Sequence, residues 1–120
     1  MLTPEADLQT QVADLLRIQE APRGFLFFSC PNEGMGKART GAALGRMARL
    51  KRMGLRPGVA DLVIVKDGLV YFLELKSNKG QISDSQAVFN IDCRRVGARY
   101  NVAYSFEQAQ KILKDWGIIA

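Results

Sequence analysis

The sequence predicts an α/β domain in which a mixed central β-sheet is flanked by helices. Three observations carry that prediction. A β-hairpin is spelled out between Ala60 and Leu75. Two S-x-x-Q boxes, Ser83 to Gln86 and Ser105 to Gln108, open helices after it. The order helix, strand, helix, strand, strand, helix, strand, helix fills 120 residues, a length that suits a single domain.

The first helix opens at Thr3-Pro4-Glu5, with Thr3 as N-cap and Pro4 in the first helical position. Leu8, Val12, Leu15, Leu16 and Ile18 supply its apolar stripe. Glu5 and Gln9 lie one turn apart and share a face. Either they point together at a site, or Glu5 serves only the positive end of the helix dipole. Pro22-Arg23-Gly24 breaks the helix, and the aromatic run Phe25 to Phe28 reads as a buried strand. Pro31-Asn32-Glu33-Gly34 marks a turn.

The stretch Gly34 to Gly45 is rich in glycine but is not a Walker A loop, because proline stands at position 31 where that motif needs glycine. It reads as a mobile basic loop. A helix from Ala42 to Met53 follows, with Gly54 as its cap and Leu44, Met47 and Leu50 facing inward. Between Gly34 and Ala60 there are seven basic residues and no acidic one. They form either a solvated basic face or a phosphate-binding one. The whole chain has 17 basic against 12 acidic residues, a net charge of +5 that suits a polyanionic partner.

The hairpin is the informative element. Asp67-Gly68 is the signal for a type I′ turn, and with those two as the loop, Lys66 faces Leu69. The register then pairs Val65 with Val70, Ile64 with Tyr71, Val63 with Phe72 and Leu62 with Leu73, and sets Asp61 opposite Glu74. Opposed side chains sit roughly 4.5–5.5 Å apart at Cβ, where like charges repel. Alternation puts Lys76 on the face of Glu74. Asp61, Glu74 and Lys76 therefore converge. Two hard oxygen ligands suit Mg²⁺ or Mn²⁺, and a neighbouring ammonium suits metal-assisted phosphodiester hydrolysis. The bland alternative is a solvated Glu–Lys pair on a strand face.

Ser77-Asn78-Lys79-Gly80 is a polar turn. The helix from Ser83 runs to about Val96 with Gly97 closing it, and Val88, Phe89 and Cys93 are placed in the core. Gln86 has two readings: the reciprocal partner of Ser83 in the capping box, or a site residue one turn into the helix. Arg99 to Tyr104 forms the last strand, a helix runs from Ser105 to about Asp115, and Trp116, Ile118 and Ile119 pin the C-terminus.

The composition excludes much chemistry. There is no histidine, so His-based acid–base catalysis, Ser-His and Cys-His nucleophiles, His-ligated zinc and HNH-type nucleases are out. Cys30 and Cys93 have no metal-ligand spacing and read as reduced core residues. No signal peptide and no bilayer-spanning run is legible, so a cytoplasmic protein with no membrane partner is expected.

The combination of P-G-V-A-D (Pro57 to Asp61), L-E-L-K (Leu73 to Lys76) and K-G-Q-I-S-D-S-Q (Lys79 to Gln86) closely resembles the VRR-NUC domains of the PD-(D/E)XK, restriction-endonuclease-like, superfamily. The similarity runs from Glu5 to the closing strand and helix, and departs at Ala60, where the family often has proline, and at Ser29-Cys30, where a histidine-containing stretch is expected. The resemblance implies a single nuclease domain over residues 1–120 with a restriction-endonuclease-like core, bacterial or phage-encoded. It implies that Asp61, Glu74 and the backbone carbonyl of Leu75 hold Mg²⁺ or Mn²⁺, with Glu5 reaching the metal directly or through water. Lys76 would sit beside the attacking water and Gln86 would match the family glutamine. Lys37, Arg39, Arg46, Lys51, Arg52 and Lys79 would bind flanking phosphates. The implied activity is endonucleolytic cleavage of branched DNA such as four-way junctions by a homodimer. Two alternatives stand beside it: a catalytically silent nucleic-acid-binding module on the same fold, and an interaction domain with a basic surface.

Overall fold

Asp67 and Gly68 both adopt positive φ, 52° and 78°, in the computed structural model, which describes residues 3–31, 40–77 and 80–120. Positive φ at both loop positions is what a type I′ turn demands, and its twist matches that of the strands it joins. Strands β2 (Leu62–Lys66) and β3 (Leu69–Leu75) accordingly pair antiparallel from Lys66↔Leu69 to Leu62↔Leu73, the register expected from the turn. Strand β1 (Leu26–Ser29) adds antiparallel to β2, and β4 (Arg99–Ala103) adds parallel to β3. The sheet is mixed, in the order β1-β2-β3-β4. A parallel neighbour needs a crossover, and helix α3 (Asp84–Arg95) supplies it.

Because side chains alternate along a strand, the sheet has two distinct faces. Leu62, Ile64, Tyr71, Leu73 and Leu75 face helices α1 (Pro4–Arg23) and α4 (Phe106–Asp115), where Leu8, Val12, Leu16, Leu113 and Ile118 complete the main core. Leu16, Leu73 and Leu113 are wholly buried, and truncating any one to alanine would cost about 2–5 kcal/mol. On the other face Phe89 and Cys93 of α3 pack with Ala60 and Tyr100, flanked by Phe72 and Val102. Glu74 and Lys76 belong to this second face by alternation, and so does Asp61.

Helix α1 is capped at its start and joined at its end to the C-terminal tail. Thr3 caps α1 by accepting from the Ala6 N–H at 3.1 Å. Arg23 donates from Nε to the Ile118 carbonyl at 2.9 Å, joining the end of α1 to the C-terminal tail. Trp116 packs against Tyr71 with ring centroids 5.2 Å apart, and Ile118 and Ile119 are buried.

Helix α1 ends at Pro22-Arg23-Gly24 as expected, with Pro22 in its last turn and Gly24 capping it at φ 69°. Several other expectations need correction. Ile18 is 71% exposed, because the buried stripe Leu8, Val12, Leu16 repeats every four residues and position 18 falls opposite it. The aromatic run is not a buried strand. Phe25 is buried ahead of the strand, whereas β1 is an edge strand whose Leu26 and Phe28 are about half exposed. Helix α2 (Gly41–Arg52) buries none of its residues and packs against no other helix or strand of the described fold, so Leu44, Met47 and Leu50 do not enter the core. Val88 is exposed, a helical step off the Phe89–Cys93 stripe. Cys30 is only half-buried and lies outside both cores, while Cys93 is buried; both are free thiols. The turn at Asn32 to Gly34, the loop from Gly34 as far as Arg39, and Asn78-Lys79 lie outside the described residues. None of the described helices is long and apolar enough to cross a membrane.

Candidate functional site

The hairpin ladder ends at Leu62↔Leu73, and the next residues, Asp61 and Glu74, are strapped together by two hydrogen bonds. The Asp61 N–H donates to Glu74 Oε1 at 3.2 Å, and the Leu75 N–H donates to Asp61 Oδ2 at 2.8 Å. The Asp61 carbonyl in turn accepts from the Cys30 N–H at 3.0 Å, which ties the site to the end of β1. An extended residue points its N–H and C=O to the same side of the strand. The Leu75 carbonyl is therefore directed toward Asp61, while the Lys76 N–H bonds across to the Ala103 carbonyl of β4.

Glu74 is 3% exposed and is the one charged residue in the described core. Its carboxylate is held at both oxygens. Gln86 donates from Nε2 to Oε2 at 2.7 Å, and Lys76 Nζ lies 3.7 Å from the same oxygen. Gln86 also completes the expected capping box, its Oε1 accepting from the Ser83 N–H at 2.9 Å. The box fixes which end of the amide is oxygen, so the other end presents a donor to Glu74. The capping motif is thus also the device that aims the glutamine.

Electrostatics shows the strain of the pair. Burial, then the Asp61 charge, pushes the Glu74 carboxyl up to about 8 from its ordinary 4.5, against the pull of Lys76. Asp61 is also raised, first by burial, with Glu5 adding to the effect. Glu5 is therefore near enough to be felt. Among the described residues, however, no three acidic, cysteine or histidine side chains gather closely enough to form a metal cluster. Glu5 stands back from the pair. Its helical neighbour Gln9 lines a groove of about 420 Å³ between α1 and β1, with Arg17, Glu20 and Phe27.

The donor set fits a hard divalent cation. Two carboxylates and a carbonyl converge in a setting where one carboxyl must otherwise keep a proton near neutral pH. Such a cation would be held by Asp61, Glu74 and the Leu75 carbonyl.

The basic residues divide differently. Arg46, Lys51 and Arg52 are exposed on α2, apart from the carboxylates, since α2 packs against neither the hairpin nor α3. Lys37, Arg39 and Lys79 lie outside the described residues. Arg56, last of the basic run, is not a free cation: its guanidinium pairs with Asp92 and lies 5.5 Å over the Phe89 ring. Sequence reasoning missed this contact, because nothing in spacing links a loop arginine to an aspartate 36 residues on. It also missed Tyr100, whose buried hydroxyl has no hydrogen-bond partner among the described residues and is raised by burial and by the charges of Glu74, Cys93 and Asp61.

No family model matches the sequence, and no curated protein matches it either. Solved structures do match the fold. A structure named "VRR_NUC domain" superposes with a TM-score of 0.64 at 20% identity, covering 96% of this chain and 99% of its own. A "VRR_NUC domain protein" gives a TM-score of 0.70 at 16% identity, covering 97% and 89%. The fold of the chain is the VRR_NUC fold, matched over nearly its whole length.

Proposed function

We propose that this chain is a metal-dependent nuclease of the VRR-NUC kind that hydrolyses DNA phosphodiesters, with a preference for branched DNA. The observation that carries the reading is the buried Asp61–Glu74 pair, with Glu74 raised to about 8 and gripped by Gln86 and Lys76. Burying two carboxylates side by side is costly, and a cation between them would offset that cost.

Asp61, Glu74 and the Leu75 carbonyl would hold Mg²⁺ or Mn²⁺, which when bound would supply an acidified water and offset negative charge on the phosphate. The chain does the rest by position. Gln86 donates to one Glu74 oxygen and stabilises its ionised form once the proton has left. Lys76 keeps a sheltered stem, 14% exposed, and presents its ammonium beside Glu74, where it orients the attacking water and compensates charge on the phosphate. Glu5 holds a second water from α1. Arg46, Lys51 and Arg52 grip flanking phosphates, a contribution that weakens as salt rises.

Two copies acting on a two-fold axis would make paired cuts. The uncovered α2 with its exposed Leu44, the exposed Met53 that caps it, and the exposed Leu26 and Phe28 of β1 supply apolar surface for such a pairing. The test is a panel of linear, flapped and four-way DNA with Mg²⁺ or Mn²⁺. Cleavage of branched substrates by the wild type and none by Lys76→Ala supports the reading. DNA binding without cleavage in either ion would leave a silent binding module.

A further inference from the structure

The hairpin sets the backbones of Asp61 and Glu74 side by side, and the Asp61 N–H donates to Glu74 Oε1 at 3.2 Å. The other carboxylate oxygen, Oε2, is held from α3, through the 2.7 Å bond from Gln86. The first turn of α3 must therefore sit correctly against the strand that carries Asp61, and the structure shows what sets that distance.

Three contacts fasten the segment before Asp61 to α3. Arg56 pairs with Asp92 two turns along the helix and lies over the ring of Phe89. Gly58 passes the helix start backbone to backbone: a Cβ there would lie 2.3 Å from the Ser85 carbonyl oxygen and 2.8 Å from the Gln86 nitrogen. Its φ of 85° is also one that side chains resist. Ala60, wholly buried, packs with Phe89 and Cys93. Asp61 follows at once. The two carboxylates are thus joined by a second route besides the hairpin, running from Asp61 through this seam to Gln86 and back to Glu74.

We infer that Arg56 and Gly58 are positioning residues of the carboxylate site, acting through the seam between residues 56–60 and the first turns of α3, and that Arg56 is not a phosphate ligand. The inference rests on the metal-dependent reading given above. Arg56 belongs to the basic run by sequence, yet its guanidinium is committed to Asp92 and Phe89. Loss of that anchor lets the helix start drift, and Gln86 then holds Glu74 less well. Substitutions that disturb the partners of a metal ligand typically weaken metal binding about 10–100-fold. Arg56 acts one step further out, so Arg56→Gln should weaken it by ~3–10-fold.

The test uses the full chain and Mn²⁺ alone, by isothermal titration calorimetry well below the melting temperature, for wild type, Arg56→Gln, Arg56→Lys and Gly58→Ala. Labelled DNA is titrated in parallel across a salt series without divalent ions. Expected are weaker Mn²⁺ binding by Arg56→Gln, recovery of most of it by Arg56→Lys, which keeps a cation for Asp92 and Phe89, and a salt dependence of DNA binding equal to wild type. Gly58→Ala should lose ~10-fold or more; if it does not fold, Arg56→Gln decides. A merely stabilising role leaves the Mn²⁺ affinity of the folded protein untouched, and that result overturns the inference. So does a salt slope lowered by about one phosphate contact in Arg56→Gln. Failure of the wild type itself to bind Mn²⁺ sinks the nuclease reading and this inference together, whereas full-strength binding by every variant sinks the inference alone.

Discussion

Replacing Asp61 by asparagine should stabilise the metal-free protein, and only at alkaline pH. Asparagine keeps an oxygen for the Leu75 N–H and turns an amide donor toward Glu74. The repulsion is removed while the packing stays. Two unit charges about 4 Å apart are worth about 4 kcal/mol at an effective dielectric near 20. Burial is the larger cause of the Glu74 shift and survives the substitution, so a gain of ~1–3 kcal/mol is expected where both groups are ionised. The sign follows from linkage. The folded pKa of Glu74, about 8, lies above its unfolded 4.5, so the native state binds the proton more tightly. Its contribution is fully present below pH 4.5 and is lost as pH rises toward 8. Wild type should therefore melt at a lower temperature at pH 9 than at pH 5. Asp61→Asn should flatten that decline, melting roughly 5–10 °C above wild type at pH 9 and within about 2 °C of it at pH 5. Calorimetric melts in EDTA at the two values decide. An equal shift at both pH values, or a lower melting temperature at pH 9, would refute the claim that like-charge repulsion loads this site.

Other substitutions separate roles that one residue combines. Gln86→Glu preserves the capping box with Ser83 but sets a third carboxylate against Glu74; metal-free stability at pH 8 should fall by ~1–2 kcal/mol, with little change at pH 5, as denaturant melts would show. Tyr100→Phe removes a buried hydroxyl with no partner among the described residues, and should leave stability unchanged or raise it by up to ~1 kcal/mol; a loss above that in urea melts would reveal an unseen bond. Neutralising Arg46, Lys51 or Arg52 with glutamine should each lower the slope of log affinity against log salt by about 0.9, without altering the melting temperature, since α2 packs against no other element. Anisotropy titrations with labelled DNA measure the slope.

The hairpin was legible because its information is local. Asp67-Gly68 dictates a turn, the turn dictates a register, and the register dictates that Asp61 meets Glu74. The capping box at Ser83 was legible for the same reason. What could not be read was tertiary. Phe25 to Phe28 has the composition of a buried strand, but only the sheet order makes it an edge. Leu44, Met47 and Leu50 fall on one side of α2, yet periodicity does not say whether anything covers that side. Arg56 looked like one more cation in a basic run until Asp92 and Phe89 came against it. Gln86 allowed two readings by sequence, and the structure shows that the cap is what aims the amide.

Proton release on metal binding is the most direct test of the proposal that the buried acidic pair takes up a cation. Near pH 7 Glu74, raised to about 8, holds its proton in the metal-free protein and must give it up to become a ligand. Mn²⁺ titrated calorimetrically in buffers of different ionisation enthalpy should bind with release of close to one proton per ion at pH 7, falling toward zero at pH 9. Binding with no proton release at pH 7, or no binding at all, would contradict the account.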